Sequence, residues 1–305
     1  MPARSSSSAA QLPLPGAAEL REVTAREGID AATSLLYRSV RESPVHGPFI
    51  RRIEETGKQP APAAWSSQAV LVIVPGAFYR ENPRSGADGR VLRAEAERLG
   101  LPTDLVPLAS TGSLQRNAEI LRDWLCKQPA RPLILASLSK GGADVKVALR
   151  EAGAARAFEN VVAWINLCGI LDGTPMAEWL LSWNPGAVLN RLYQRLRGQS
   201  LAFLPEMLYG PGQTLDFPLR LPAHVQMISI VGFPLREHLS RGIARRCHRR
   251  LTPLGPNDGG LVLADVCALP GFVYPLWGAD HYLQPKSGVR ELVGAILRYL
   301  DETLK

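Results

Sequence analysis

The chain has 305 residues, 46% of them hydrophobic and 21% charged, a globular composition with length enough for a sizeable buried core. Its net charge of +7 favours acidic partners or anionic surfaces. Much of the excess lies between Arg236 and Arg250, without any zinc-finger, RNA-recognition or basic-zipper pattern, so nucleic-acid binding is not expected.

No run of about 18 apolar residues suits a membrane-crossing helix. The opening Met-Pro-Ala-Arg and four serines lack the apolar stretch of a secretory signal. The four cysteines, Cys126, Cys168, Cys247 and Cys267, form no C-x-x-C pair. Reduced thiols in a cytoplasmic protein are therefore expected, with neither a disulfide framework nor a zinc site. No metal-ligand cluster and no phosphate-cradling GK[ST] loop appears, so no metal or cofactor is expected.

In chain order, residues 1–17 are rich in Ser, Ala and Pro and read as a disordered tail. Residues 18–45 have helical spacing of apolar groups and should pack outside the fold. Residues 56–66 are a Pro/Ala-rich connector. The apolar run 69–74 ends at Pro75-Gly76 and reads as a strand buried on both faces. A helix is predicted over 89–99, a strand over 103–108, and a helix from Ser113, as N-cap, to about Gln128. Strand 131–138, helix 140–154 and strand 161–167 follow. Residues 225–231 and 272–277 are the last strands, and 287–304 the last helix. Strands alternating with helices of this length imply βαβ units and a mostly parallel sheet with helices on both faces. Residues 172–223 break the rhythm with six prolines, many leucines and aromatic residues such as Trp179, Trp183 and Tyr193. They read as a helical cap or lid inserted into one domain spanning 18–305.

The segment Leu133-Ile-Leu-Ala-Ser137-Leu138-Ser139-Lys140-Gly141-Gly142 is strand, sharp turn, helix. It resembles the nucleophile elbow of α/β-hydrolases, G-x-S-x-G, with Ser137 where that family usually has Gly. Small residues flanking the serine let strand and helix approach, and N–H groups at the helix start face a developing oxyanion. The resemblance implies Ser139 as nucleophile, with the backbone N–H of Lys140 as one oxyanion donor. It places the second donor after the first strand, on Ala77 or Phe78 of Pro75-Gly76-Ala77-Phe78-Tyr79, where Phe78 and Tyr79 are also candidates to line an acyl pocket. Ser137 should pack inside, bonded to backbone, and the Lys140 side chain should pair with Asp144 one turn on.

Two later segments complete the pattern. Asn257-Asp258-Gly259-Gly260-Leu261-Val262 and Asp280-His281 resemble the acid- and base-bearing segments of bacterial lipases and esterases. Of the five histidines, only His281 follows the last predicted strand. The order Ser139, Asp258, His281 is the order this fold uses. Asp172 is the serious alternative acid; Asp265 and Asp280 are weaker ones.

The resemblance implies a serine hydrolase of esters or thioesters, working through an acyl-enzyme on a hydrophobic, lipid-like acyl group. An acyltransferase with the same triad and a non-catalytic binding protein of this fold are the alternatives. The stretch 236–250, read as a helix with Arg241, Arg245 and Arg249 on one face, is either a solvated surface or a contact for an anionic membrane or acyl carrier.

Overall fold

The computed structural model describes residues 14–60, 65–239, 242–284 and 288–304. Six strands are present among these: β1 (Val70–Val74), β2 (Thr103–Leu105), β3 (Leu133–Leu138), β4 (Val161–Leu167), β5 (Gln226–Phe233) and β6 (Phe272–Trp277). They form one sheet in the order β2-β1-β3-β4-β5-β6, every neighbouring pair parallel. All five residues of β1 are buried, as their unbroken apolar run predicts. A parallel sheet is covered on both faces, so its central strands need no polar side.

Helices α1 (Ala17–Glu27), α2 (Ile29–Glu42) and α3 (His46–Lys58) precede β1. Then come α4 (Arg90–Arg98) after β1, α5 (Leu114–Cys126) after β2, and α6 (Lys140–Arg150) with the short α7 (Ala154–Ala157) after β3. The β4–β5 connection carries α8 (Pro175–Leu181) and α9 (Pro185–Leu196). The β5–β6 connection carries α10 (Gly242–Leu251) and α11 (Leu263–Cys267), and α12 (Val289–Thr303) follows β6. Around the sheet, α3, α4 and α12 pack together, as do α5, α6 and α7. None of the described helices is long and apolar enough to cross a membrane.

Most predicted elements fall within a few residues of their expected ends. Ser113 caps α5 as expected, its side chain accepting from the Arg116 N–H at 3.2 Å. The amino-terminal region differs. The predicted helical stretch 18–45 is split at Gly28, whose φ of 92° favours a residue without Cβ. Residues 46–55, unassigned in sequence, form α3 together with 56–58 of the predicted connector. Residues 1–13 of the predicted tail and 61–64 of the predicted connector lie outside the described residues; Ala17 already opens α1.

These extra helices cover the β6 edge of the sheet. Phe49 of α3 stacks on Phe272 at 4.6 Å and meets Tyr299 of α12 edge-on at 5.5 Å. Tyr37 of α2 lies 4.6 Å from Trp277 and 5.8 Å from Phe233. His46 Nδ1 accepts the Val273 N–H of β6 at 3.3 Å, satisfying a donor on an edge strand that would otherwise template a further strand.

Candidate active site

β3 and α6 are separated by one residue, Ser139, with φ 48° and ψ −115°. The turn closes because its neighbours lack side chains. A Cβ on Gly141 would lie 2.4 Å from the Val74 carbonyl oxygen, and one on Gly142 would lie 2.9 Å from Gly169 Cα. Ser137, at the position where glycine is usual, is buried. Its hydroxyl donates to Asn166 Oδ1 and accepts from Trp164 Nε1, both at 2.8 Å. The expected backbone bonds are thus replaced by two side chains of β4, which lies beside β3 and offers polar groups at the right register.

Ser139 Oγ lies 3.0 Å from His281 Nε2, and His281 Nδ1 lies 3.0 Å from Asp258 Oδ2. Asp258 is fully buried, and its other oxygen accepts the N–H groups of Gly260 and Leu261 at 2.7 and 2.9 Å. The Asn-Asp-Gly-Gly turn therefore orients the carboxylate with its own backbone. The His281 N–H donates to the Asp258 carbonyl at 2.8 Å, so the two turns are joined by main chain as well as by side chains. Gly260 was not singled out in the sequence, yet a Cβ there would stand 2.3 Å from His281 Nδ1. Burial opposes protonation of His281, but the charge and hydrogen bond of Asp258, with Asp280 adding, outweigh it and raise its pKa above the ordinary 6.5.

The other acids have different partners. Asp172 pairs with Lys146 Nζ at 2.7 Å. Asp265 accepts from the Tyr209 hydroxyl at 2.8 Å. Asp280 accepts the N–H groups of Tyr282 and Gln284 at 2.9 and 3.0 Å, shaping the turn that carries His281. Lys140 turns inward to Asp144 at 2.8 Å, as expected, but the pair is buried rather than on a surface helix face. Burial, opposed by Lys140 and Asn117, pushes the Asp144 carboxyl up to about 6.

Ser139 and His281 open onto a cavity of about 810 Å³. Its wall is largely apolar, with Phe78, Leu138, Met176, Leu180, Phe203 and Leu204 among the lining. Ala77, Phe78 and Lys140 line it beside Ser139, and no acceptor for their backbone N–H groups exists among the described residues. Tyr79 does not line it; its hydroxyl donates to the Leu108 carbonyl at 2.9 Å.

The described non-glycine residues with positive φ are Phe78, Ser139, Cys168, Leu201 and Leu283, and all five border this cavity. Such conformations cost about 1–3 kcal/mol each and concentrate at functional sites. Cys168, also not singled out in sequence, places its thiol within 4.8 Å of donor atoms of Asp258 and His281. Burial first, then the Asp258 charge, pushes that thiol's pKa well up. It therefore stays protonated, a poor metal ligand, and the other two atoms are already bonded to each other.

The basic stretch is not one helix. A short 3-10 turn spans Arg236–His238, and α10 begins at Gly242. Arg236 pairs with Asp30 at 2.9 Å, and Arg241 lies outside the described residues.

An all-parallel sheet of this strand order, enclosed by helices, is that of the α/β-hydrolases, and the chain has the α/β-hydrolase fold. Among solved structures, a metagenomic carboxyl esterase is similar at 25% identity and a TM-score of 0.57, over 81% of this chain and 80% of its own. The mature lipase BlEst2 of Bacillus licheniformis is similar at 20% identity and 0.55, over 81% and 95%. The phospholipase PlaB of Legionella pneumophila is similar at 13% and 0.53, over 76% and 59%. No protein-family model matches the sequence, and no curated protein does.

Proposed function

We propose that the chain is a serine hydrolase that cleaves carboxylic esters or thioesters bearing a hydrophobic acyl group. The observation that carries this reading is the chain of contacts from Ser139 Oγ to His281 Nε2 and from His281 Nδ1 to Asp258, each 3.0 Å, opening onto an apolar cavity. The similarity to a carboxyl esterase at 25% identity supports an ester substrate.

In this reading neutral His281 takes the Ser139 proton on Nε2 as Oγ bonds to the acyl carbon and the carbonyl electron pair moves to oxygen. The N–H groups of Lys140 and of Ala77 or Phe78 hold that oxyanion. Collapse breaks the bond to the alcohol or thiol, which leaves with the proton from Nε2. Water, giving its proton to Nε2, then attacks the acyl-enzyme, releasing the acid and restoring Ser139. Asp258 keeps the imidazole in the tautomer that leaves Nε2 free to accept, and stabilises the imidazolium. The scheme requires no cofactor. Residues 172–223, which contribute Met176, Leu180 and Phe203 to the cavity wall, act as its cap.

The test is intact-mass analysis after a fluorophosphonate probe. One adduct is expected on wild type and none on Ser139→Ala, which should also lose turnover of short-chain esters. A folded wild type that takes no probe and cleaves no ester would refute the proposal.

A further inference from the structure

Helix α9 is held to the rest of the molecule by little. Among its described side chains only Ala187 is buried. Its apolar face points the wrong way for a helix of a lone globular protein. Leu189, Leu192, Tyr193 and Leu196 follow the i, i+3, i+4, i+7 spacing of one face. They are 68%, 52%, 53% and 79% exposed. Trp183, just before the helix, is 89% exposed, and Ile243 of α10 is 57% exposed. A contiguous exposed surface of large apolar side chains marks an interface.

The charge around it names the partner. No Asp or Glu occurs between Trp179 and Pro205, or between His238 and Asn257. Arg195, Arg197, Arg245, Arg246, Arg249 and Arg250 belong to these stretches, and none is in an ion pair among the described residues. Helix α8 packs against both α9 and α10, with the Arg250 guanidinium of α10 4.1 Å from the Trp179 ring of α8, and α9 and α10 both border the cavity, through Tyr193 and Gln194 on one side and Ile243 and Arg246 on the other.

We propose that the face formed by Trp183, α9 and α10 docks on an anionic phospholipid bilayer. An interfacial helix combines an apolar face with flanking arginines, and Trp and Tyr favour the headgroup layer. Each arginine gains from the negative surface potential. A second copy of the chain fits less well, because a two-fold contact sets the same arginine-rich patch against itself. Docking turns the cavity mouth toward the layer in which acyl esters are dissolved. The inference goes beyond the hydrolase reading, because docking does not require Ser139 to react.

The experiment is co-sedimentation of the full chain with vesicles of phosphatidylcholine, alone or mixed with phosphatidylglycerol, at low and high salt. The variants are Leu189→Ser with Leu196→Ser, and Arg195→Glu with Arg249→Glu. None of the four side chains lines the cavity, and circular dichroism checks that each variant is folded. Wild type and Ser139→Ala are expected to bind the mixed vesicles equally, to release in high salt and to ignore pure phosphatidylcholine. Both double variants should partition at least about tenfold more weakly. Wild type that fails to bind mixed vesicles overturns the proposal, as do folded variants that bind like wild type. Dimers dispersed by the leucine variant, without vesicle binding, assign the face to a second copy and overturn it too.

Discussion

Asp258 is distinguished from the neighbouring acids by where its lone pairs go. One oxygen takes two N–H groups of its own turn, which leaves the other free for His281. An amide in its place would donate to Nδ1, forcing the imidazole proton onto Nε2 and blocking acceptance from Ser139. Asp258→Asn should therefore lower kcat roughly 10³- to 10⁴-fold with little change in fold. Asp172→Asn, which loses only a partner of Lys146, should leave kcat within a few-fold. Steady-state kinetics on one soluble ester checks both, and the reverse ranking would move the acid role to Asp172. The raised pKa of His281 carries a pH signature. In the proposed reaction His281 must be neutral to accept the Ser139 proton, so kcat/KM should fall as pH drops through a value above the ordinary 6.5. Asp258→Asn removes the charge that raises it, so the acidic limb of its residual activity should move to lower pH. An unmoved limb would mean that another group controls it. At this scale the sequence was informative wherever a motif is local. Gly260 and Cys168 were not legible, because their importance lies in contacts with residues remote along the chain.

Among the elements, the strands β1 and β3 could be read directly, since continuous apolar runs bounded by turn residues leave few alternatives. The amino-terminal helices could not be placed. Their apolar spacing shows that α2 and α3 bury one face, but not which surface receives it. In the fold they close the β6 edge, with Phe49 between Phe272 and Tyr299. Phe49→Ala should cost about 3 kcal/mol of stability through lost burial and the cavity it leaves. Urea unfolding, followed by circular dichroism, measures it. A loss well below about 1 kcal/mol would mean that α3 contributes little to the closed edge. The basic stretch shows the opposite limit. Its helical spacing was legible, while the 3-10 turn that interrupts it and the pairing of Arg236 with Asp30 depend on a helix more than 200 residues earlier.

For the whole molecule, the arrangement of exposed apolar and cationic groups around one cavity mouth links surface to chemistry. If the chain hydrolyses esters and docks on anionic bilayers, salt should separate the two. Turnover of an ester carried in anionic vesicles should fall as ionic strength rises, because screening weakens the arginine contribution. Turnover of a soluble short-chain ester should change little. Equal salt dependence for both substrates would show that the arginines act on the chemistry and not on docking.

What the sequence determined by itself is what short-range physics controls. The alternation of strand and helix, the Ser139 turn with its glycines, and the Asp258 and His281 segments in order all follow from local patterns. The tertiary structure alone decided which groups meet. It brought Ser139, His281 and Asp258 to 3.0 Å contacts from positions 23 and 142 residues apart, paired Lys146 with Asp172, and replaced backbone by Asn166 and Trp164 as partners of Ser137. It also turned the leucine face of α9 outward. Spacing reveals that a helix has an apolar face; only packing decides whether that face meets the core or the solvent.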